Sequence, residues 1–331
     1  MRCPKLHELP PPPPGRTGWP WTEESVRAAE PQAATWPRIT IVTPSFNQAA
    51  FVEATIRSVL LQGYPDLEYY VLDGGSKDGS VDIIKKYEPW LTYWFSGPDG
   101  GQSAAIDRGL RLGSGLFTTW INSDDMLCRD ALVTHAVRVG FKPDTIYAGD
   151  CVQVDGNDRV LGTHRGRVQS FEDLVRVPTV WRNAERRGHL VQPEVLFPRQ
   201  LALDVGGVNR ANHRTMDYEL WGKLLLGGAR IEYTGIPFGI FRIHDQQKTF
   251  DGWRQTQSLL STAAALLTSA STIPEATRAE ILASLAEYEQ QCWRGTGRLA
   301  ALGLPRTLVA RLRAARAARG VARSTPPAHR A

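Results

Sequence analysis

The chain predicts an α/β fold, a mostly parallel, doubly wound sheet flanked by helices and continued by a C-terminal helical extension. Three observations predict it. Between Arg38 and Asn122, short β-rich apolar runs alternate with single amphipathic segments, the pattern of parallel strands joined by crossover helices. Clusters of Asp, Asn, Ser and Gly directly follow four of those apolar runs. From residue 253 to 293, repeated Ala and Leu replace the alternation with a helical pattern.

Each element has its own signal. "RITIVTPSF" reads as the first strand, and Phe51, Ile56, Val59 and Leu60 then mark a helix face that stops near Gly63 and Pro65. "LEYYVLD" is the next strand, "SVDIIKKYE" a helix, "LTYWFSG" a strand, "QSAAIDRGLRLG" a helix and "LFTTWIN" a strand. Beyond Asp125, "DTIYAGDCVQVD" suggests a strand and hairpin, and "RTMDYELWGKLLLGG" a helix closed by a Gly pair. Residues 1–37 carry five consecutive prolines, Pro10 to Pro14, and little apolar content, so they are expected to be extended or disordered. The chain thus divides into that segment, a domain over 38–250, a helical extension over 251–293 and an Arg-rich tail over 294–331.

Charge and cysteine content narrow the function classes. The net charge is +5, but the tail from Arg294 holds nine Arg and no Lys, Asp or Glu, and subtracting its +9 leaves −4 for residues 1–293. The basic pI of 9.1 therefore describes the tail, and nucleic acid is not an expected partner. Arg306, Arg311, Arg313, Arg316, Arg319 and Arg323, interleaved with Leu308, Val309 and Leu312, read either as a segment that turns helical on an anionic membrane surface or as a solvated tail. Cys3, Cys128, Cys151 and Cys292 are scattered without a CxxC pair, which fits a reducing compartment. No apolar stretch approaches the roughly 20 residues that span a bilayer, and the N-terminus lacks the apolar core of a secretory signal. The expectation is a cytoplasmic protein, peripheral at the inner face of the plasma membrane if the tail binds lipid.

Ligands of open α/β sheets bind outside the carboxyl ends of the strands. Pro44-Ser45-Phe46-Asn47, Asp73-Gly74-Gly75-Ser76, Asp99-Gly100-Gly101-Gln102 and Asn122-Ser123-Asp124-Asp125 each follow a predicted strand and should line one edge. Any one of them reads equally as a turn; four in register point to a site. No GxGxxG or GxxxxGKS follows the first strand, so neither a dinucleotide fingerprint nor a P-loop is present. The adjacent Asp124 and Asp125 fit a metal site, a general acid/base pair, or a solvated turn with a helix N-cap, since like charges this close need an offset.

"ITIVTPSFNQ", "VLDGGSKDGS", "GPDGGQSAAIDRGL", "WINSDD", "MDYELW" and "FRIHDQQKT", in this order and spacing over about residues 38–250, resemble glycosyltransferase family 2. The resemblance implies a GT-A fold, a divalent cation (Mn²⁺ or Mg²⁺) and direct, inverting displacement at the anomeric carbon of a nucleotide-diphospho-sugar. A UDP-sugar is the first expected donor, and a hydroxyl of a glycan or lipid-linked acceptor the expected acceptor. In that frame Asp73 resembles the base-binding carboxylate, with Pro44, Ser45 and Asn47 contacting base and ribose and Gln102, Arg108, Asn122 and Ser123 completing the nucleotide side. Asp124 matches the metal carboxylate of the DxD motif, and Asp125 is either a second ligand or a helix cap. His244 resembles the late His that reaches metal or diphosphate. Asp217 resembles the general base, with Glu219 as fallback, while Gln192 and Trp221 fall on the acceptor side. Trp120, Trp181 and Trp221 suit either sugar stacking or core packing.

The chain departs from the family pattern at three positions. Asn122 replaces the first acid of DxD, Ala104 stands where Asp is frequent, and Asp107 where Asn is frequent. Two other classes are weighed against a transferase. A sugar-phosphate nucleotidyltransferase would place a Gly-rich basic loop after the first strand, where this chain has "TPSFNQ". A catalytically inactive carbohydrate- or nucleotide-binding module has no need of both Asp124 and Asp217.

Overall fold

Strand β1 (Ile39–Ser45) is buried at every position, as is β2 (Leu67–Asp73). Strands apolar on both faces need cover on both, and alternate residues meet different layers. Ile39 and Ile41 of β1 and Tyr69 and Val71 of β2 pack in one cluster; Val42, Tyr70 and Leu72 pack in the other. The computed structural model describes residues 3–26, 36–181, 188–245, 247 and 252–293. In the first cluster β1 and β2 meet α1 (Val52–Leu60) and α2 (Ser80–Tyr87), and in the second α3 (Gln102–Leu112). With β3 (Tyr93–Ser96) and β4 (Phe117–Trp120) this half is parallel throughout, β2 and β4 flanking β1 and β3 lying outside β2. Helix α3 lies so close to β1 that a Cβ on Gly109 would stand 2.5 Å from the Val42 methyls, so only Gly fits there.

The remaining elements are β5 (Met126–Leu127), α4 (Ala131–Arg138), β6 (Thr145–Asp155), β7 (Val160–His164), α5 (Phe171–Val175), α6 (Val177–Trp181), β8 (Val195–Pro198), α7 (Arg199–Asp204), α8 (Met216–Leu226), β9 (Arg230–Ile243), α9 (Gly252–Ser269) and α10 (Glu275–Cys292). The strand order is β3-β2-β1-β4-β8-β6-β9-β5, with β7 on β6. Most of the paired register is parallel, as expected, with antiparallel strands added in this half. β8 runs antiparallel to both β4 and β6, β5 is antiparallel to β9, and β7 returns along β6 through a tight turn, while β9 lies parallel to β6. Neighbours joined by a tight turn must run antiparallel, so the sheet is mixed in this half.

Of residues 1–37, expected to be extended or disordered, the part described packs against the domain. Cys3, Leu9 and Trp21 are buried, and residues 6–8 form one 3₁₀ turn. The proline-rich backbone has carbonyls that no helix or strand satisfies. The buried Arg57 of α1 takes three of them, donating to the oxygens of Pro10, Pro20 and Trp21, and also to the Tyr87 hydroxyl. Residues 27–35 and the tail 294–331 lie outside the described residues, and with the tail its proposed membrane contact. Among the described residues, no helix is long and apolar enough to cross a membrane, and Cys128 and Cys151 are buried free thiols.

Candidate functional site

Parallel register brings the strand ends together. Ser45 pairs with Asp73, Asp73 with Ser96, and Val42 with Trp120, so the four polar clusters leave the sheet on one edge. A cavity of about 940 Å³ opens there. Its walls include Pro44, Ser45, Gln102, Asn122, Ser123 and Asp124 from these loops, and Gln192, Asp217 and Trp221 from the later half of the chain. Gln255 and Leu259 of α9 complete it, so the helical extension is part of the wall.

Asp124 and Asp125, indistinguishable as letters, are separated by burial. The Asp125 carboxylate is enclosed, accepting from the Arg242 backbone N–H at 3.0 Å and from Asn122 Nδ2 at 3.2 Å. Burial, with the charge of Asp124 second, pushes its pKa well above the usual carboxylate range. It caps no helix, since α4 begins after Asp130, and it belongs to the scaffold. Asp124 faces the cavity, and His244 Nε2 lies 3.0 Å from its Oδ2. The His244 ring packs on Phe51 with centroids 4.8 Å apart, and Gln247 closes the turn beneath it, accepting from the His244 N–H at 3.3 Å and donating to the Arg242 carbonyl.

Asn122, which stands in the first acidic position, is a hub. Its Oδ1 accepts from Gln102 at 2.9 Å and its Nδ2 donates to Asp125 and to Gln192 Oε1, while Gln192 donates to the Trp120 carbonyl. A neutral amide can donate and accept at once; an acid here would set a third charge beside Asp125. Its amide is thereby engaged within the protein.

Several residues expected at the nucleotide lie off the cavity wall. Asp73 is fully buried, and its carboxylate accepts from the N–H groups of Gly75 and Ser76 and the hydroxyls of Ser76 and Ser96, at 2.5–3.0 Å. That makes it the organiser of its loop. Asn47, in a left-handed conformation with φ 52°, accepts from Lys77 N and ties the first loop to the second. Arg108 lies over the Phe95 ring, 4.5 Å from its centroid, and donates to the Tyr93 hydroxyl. Departure residue Asp107 is also structural, paired with Arg111 and Arg210. Glu219, the fallback base, is engaged by Lys223 at 2.6 Å and by Asn209 and Asn212; burial alone would raise its pKa, but these partners hold it below the ordinary value.

Asp217, by contrast, lines the cavity near the start of α8, where its carboxylate accepts from the Tyr218 N–H at 2.8 Å. Burial raises its pKa above that of an ordinary Asp. The start of α8 is held from α9: Thr215 Oγ1 lies 3.1 Å from Ser258 Oγ and 2.9 Å from Thr262 Oγ1. Trp221 is stacked on Trp120 at 5.5 Å and edge-on to Phe197, which is core packing. Yet its Nε1, like Ser45 Oγ, is buried without a hydrogen-bond partner in the protein and belongs to a wall residue. Buried polar groups are nearly always satisfied, so both donors fit a polar ligand in the cavity. The Trp181 side chain lies outside the described residues.

Residue-by-residue reading missed Asp99, Phe46, Arg242 and Gln247. Asp99 and the exposed Phe46 stand on the wall either side of Gly74, within the quoted loops; Arg242 and Gln247 sit in "FRIHDQQKT" beside the His that drew attention.

The donors present fit a metal of one kind. Among the described residues no group of three His, Cys, Asp or Glu could enclose an ion. Asp124 and His244 offer one carboxylate and one imidazole, and a hard cation such as Mg²⁺ is commonly held by one or two carboxylates with substrate phosphates and water as its other ligands. The pair suits a metal that arrives with a diphosphate.

Comparison with known proteins agrees with this geometry. Residues 40–195 match the family model described as Glycosyl transferase family 2. An uncharacterized glycosyltransferase of Mycobacterium tuberculosis is 34% identical over 134 residues, 40% of this chain and 49% of that protein. The chain therefore spans about half the length of that curated relative. Staphylococcus aureus TarS 1–349, solved in complex with UDP-GlcNAc, superposes with a TM-score of 0.58 at 16% identity over 75% of this chain and 71% of that one. The Pyrobaculum calidifontis mannosyltransferase PcManGT, solved with GDP-Man and Mn²⁺, gives 0.57 at 18% identity over 91% and 84%. These likenesses establish the GT-A type of fold, with the added helical region at its C-terminal end.

Proposed function

We propose that this chain, which belongs to glycosyltransferase family 2, transfers a sugar from a nucleotide-diphospho-sugar to a hydroxyl of a glycan or lipid-linked acceptor, with inversion and with a divalent metal. The observation that carries the reading is that Asp124, with the His244 imidazole against its carboxylate, and Asp217 stand on the walls of one cavity, a cation-and-diphosphate end and a proton-accepting end facing the same space.

The nucleotide lies along the first two loops, with Phe46 and Asp99 at the base and Ser45 Oγ donating to the ligand. Asp124 and His244 would hold Mn²⁺ or Mg²⁺, which when bound supplies positive charge to the departing diphosphate. Asn122 and Gln192 hold the loop behind Asp124, so that its carboxylate is placed before the donor arrives. Asp217 accepts the proton of the acceptor hydroxyl as that oxygen bonds to the anomeric carbon and the bond from that carbon to the diphosphate breaks. The nucleoside diphosphate leaves with the electron pair of the broken bond. A base with a pKa raised by burial is better matched to this step than an ordinary Asp. The relative solved with GDP-Man and Mn²⁺ and the one solved with UDP-GlcNAc support a nucleotide-sugar donor and a metal; a UDP-sugar is the first donor to try.

The test is release of nucleoside diphosphate from UDP-, GDP- and dTDP-sugars, with and without Mn²⁺ and with a panel of glycan and lipid-linked acceptors. Metal-dependent release from one donor, accelerated by an acceptor, is expected. Release of pyrophosphate from a sugar phosphate and a nucleoside triphosphate would identify a nucleotidyltransferase instead, and binding without turnover an inactive module.

A further inference from the structure

The N-terminal segment, expected from its sequence to be extended or disordered, is laid against the chain that follows Asp124 and Asp125. Trp19 Nε1 donates to the Leu127 carbonyl at 2.9 Å, and Trp21 packs with Ala54 and Met126. Ser25 Oγ accepts from Asp130 N at 2.8 Å, and Val26 N donates to Asp130 Oδ1 at 2.7 Å. These contacts reach the chain just after Asp125, and Trp19, Trp21, Ser25 and Val26 do not line the cavity.

A second connection reaches Asp124 itself. Arg16 Nη1 donates to Asp158 Oδ2 at 3.2 Å, and Asp158, held in a left-handed conformation in the β6–β7 turn, accepts through Oδ1 from Arg242 Nη1. Arg242 is buried, and its Nε donates to the Asp124 carbonyl at 2.8 Å while its backbone N–H holds Asp125. Its guanidinium also lies over the Phe51 ring, 4.8 Å from the centroid, the ring on which His244 packs. Both members of the Asp124–His244 pair thus rest on Arg242, Asp124 directly and His244 through Phe51.

A buried guanidinium needs an anion, and Asp158 supplies it. Without that carboxylate the charge of Arg242 is drawn to Asp125 and the turn at Asp124, in competition with any cation bound there. We infer that Asp158 is a positioning residue for the cation end of the site, and that the N-terminal segment, through Arg16 and the contacts of Trp19 to Val26, braces the Asp124 loop. The inference rests on the metal role proposed for Asp124. Partners behind a metal's ligands typically change metal affinity by about 10–100-fold when removed.

The test uses the full chain and titrates Mn²⁺ in the presence of UDP, and of GDP in turn, following free Mn²⁺ by electron paramagnetic resonance. Asp158→Ala and Asp158→Asn are expected to weaken Mn²⁺ binding by about 10–100-fold, and Arg16→Ala to weaken it in the same direction. Metal-free nucleotide affinity should be unchanged. Thermal melting is recorded beside each; if the Ala variant does not fold, the Asn variant, which keeps the shape, decides. Wild-type Mn²⁺ affinity in a folded Asp158 variant overturns the inference alone. No Mn²⁺ binding by the wild-type chain with either nucleotide overturns the metal role of Asp124 and the inference with it.

Discussion

His244 Nε2 and Asp124 Oδ2 lie 3.0 Å apart although 120 residues separate them in the chain. A carboxylate at the end of the β4 loop and an imidazole at the end of β9 meet because β9 crosses beside β5 and Arg242 locks the two together. If this pair receives a cation with a diphosphate, the imidazole is the softer and less essential of the two donors. His244→Ala should then raise the Mn²⁺ concentration giving half-maximal transfer by roughly 10-fold or more while saturating metal restores much of the rate. Metal titration of the transfer rate checks it; an unchanged Mn²⁺ requirement removes His244 from the cation.

Asp73 and Asp99 should fail differently. Asp73 holds its loop through four donors, and a hydrogen bond involving a charged group is worth about 1.5–3 kcal/mol. Asp73→Ala should lower unfolding free energy by at least that much and weaken nucleotide binding along with it. Asp99→Ala, which removes a carboxylate from the cavity wall, should weaken nucleotide binding with little loss of stability. Denaturant unfolding beside nucleotide titration separates them; loss of binding by the Asp73 variant with full stability would restore a direct contact to the base.

Much of this was legible in the sequence. Strands covered on both faces are written as continuous apolar runs, and their polar ends as Asp, Asn, Ser and Gly, so the edge carrying the site could be drawn from residues 38 to 125 alone. The later half was not, because the direction of β8 is decided by its partners β4 and β6 and not by its own four residues. Asp124 and Asp125 are identical letters, and only burial tells which is the more open to the cavity. The proline segment misled for a similar reason: its composition is poor in apolar residues, but Arg57, one cation in a helix whose other buried side chains are mostly apolar, satisfies its backbone.

Acid should unfold the protein through His135. The ring is buried, with Nδ1 2.8 Å from the Ala131 carbonyl and Nε2 2.9 Å from the Thr234 hydroxyl, and burial lowers its pKa to about 4. The unfolded chain binds the proton near pH 6.5, so the contribution is fully present above that pH and is lost as pH falls towards 4. The loss is roughly 3 kcal/mol. Stability measured from pH 7 to 4 in wild type and His135→Gln should show a shallower decline in the variant; parallel curves would contradict it.

Transfer should also fade on the acid side through Asp217. A general base works only when deprotonated, and burial raises the Asp217 pKa, so kcat should fall with decreasing pH through a limb above the roughly 3.9 of a free Asp. A pH–rate profile at saturating donor and metal checks this; a profile flat down to the ordinary carboxylate range would assign the base elsewhere.

The central claim is that one cavity separates cation binding from proton acceptance between Asp124 and Asp217. Calorimetric binding of the nucleotide-sugar with and without Mn²⁺, measured beside the transfer rate in Asp124→Asn and Asp217→Asn, tests it directly. Asp124→Asn should lose the Mn²⁺-dependent part of donor binding, with partial recovery at high metal. Asp217→Asn should keep that binding while transfer falls by roughly 10²–10⁴-fold, with no recovery. An Asp217→Asn protein that turns over normally, or one that loses metal-dependent donor binding in place of Asp124→Asn, would contradict the account.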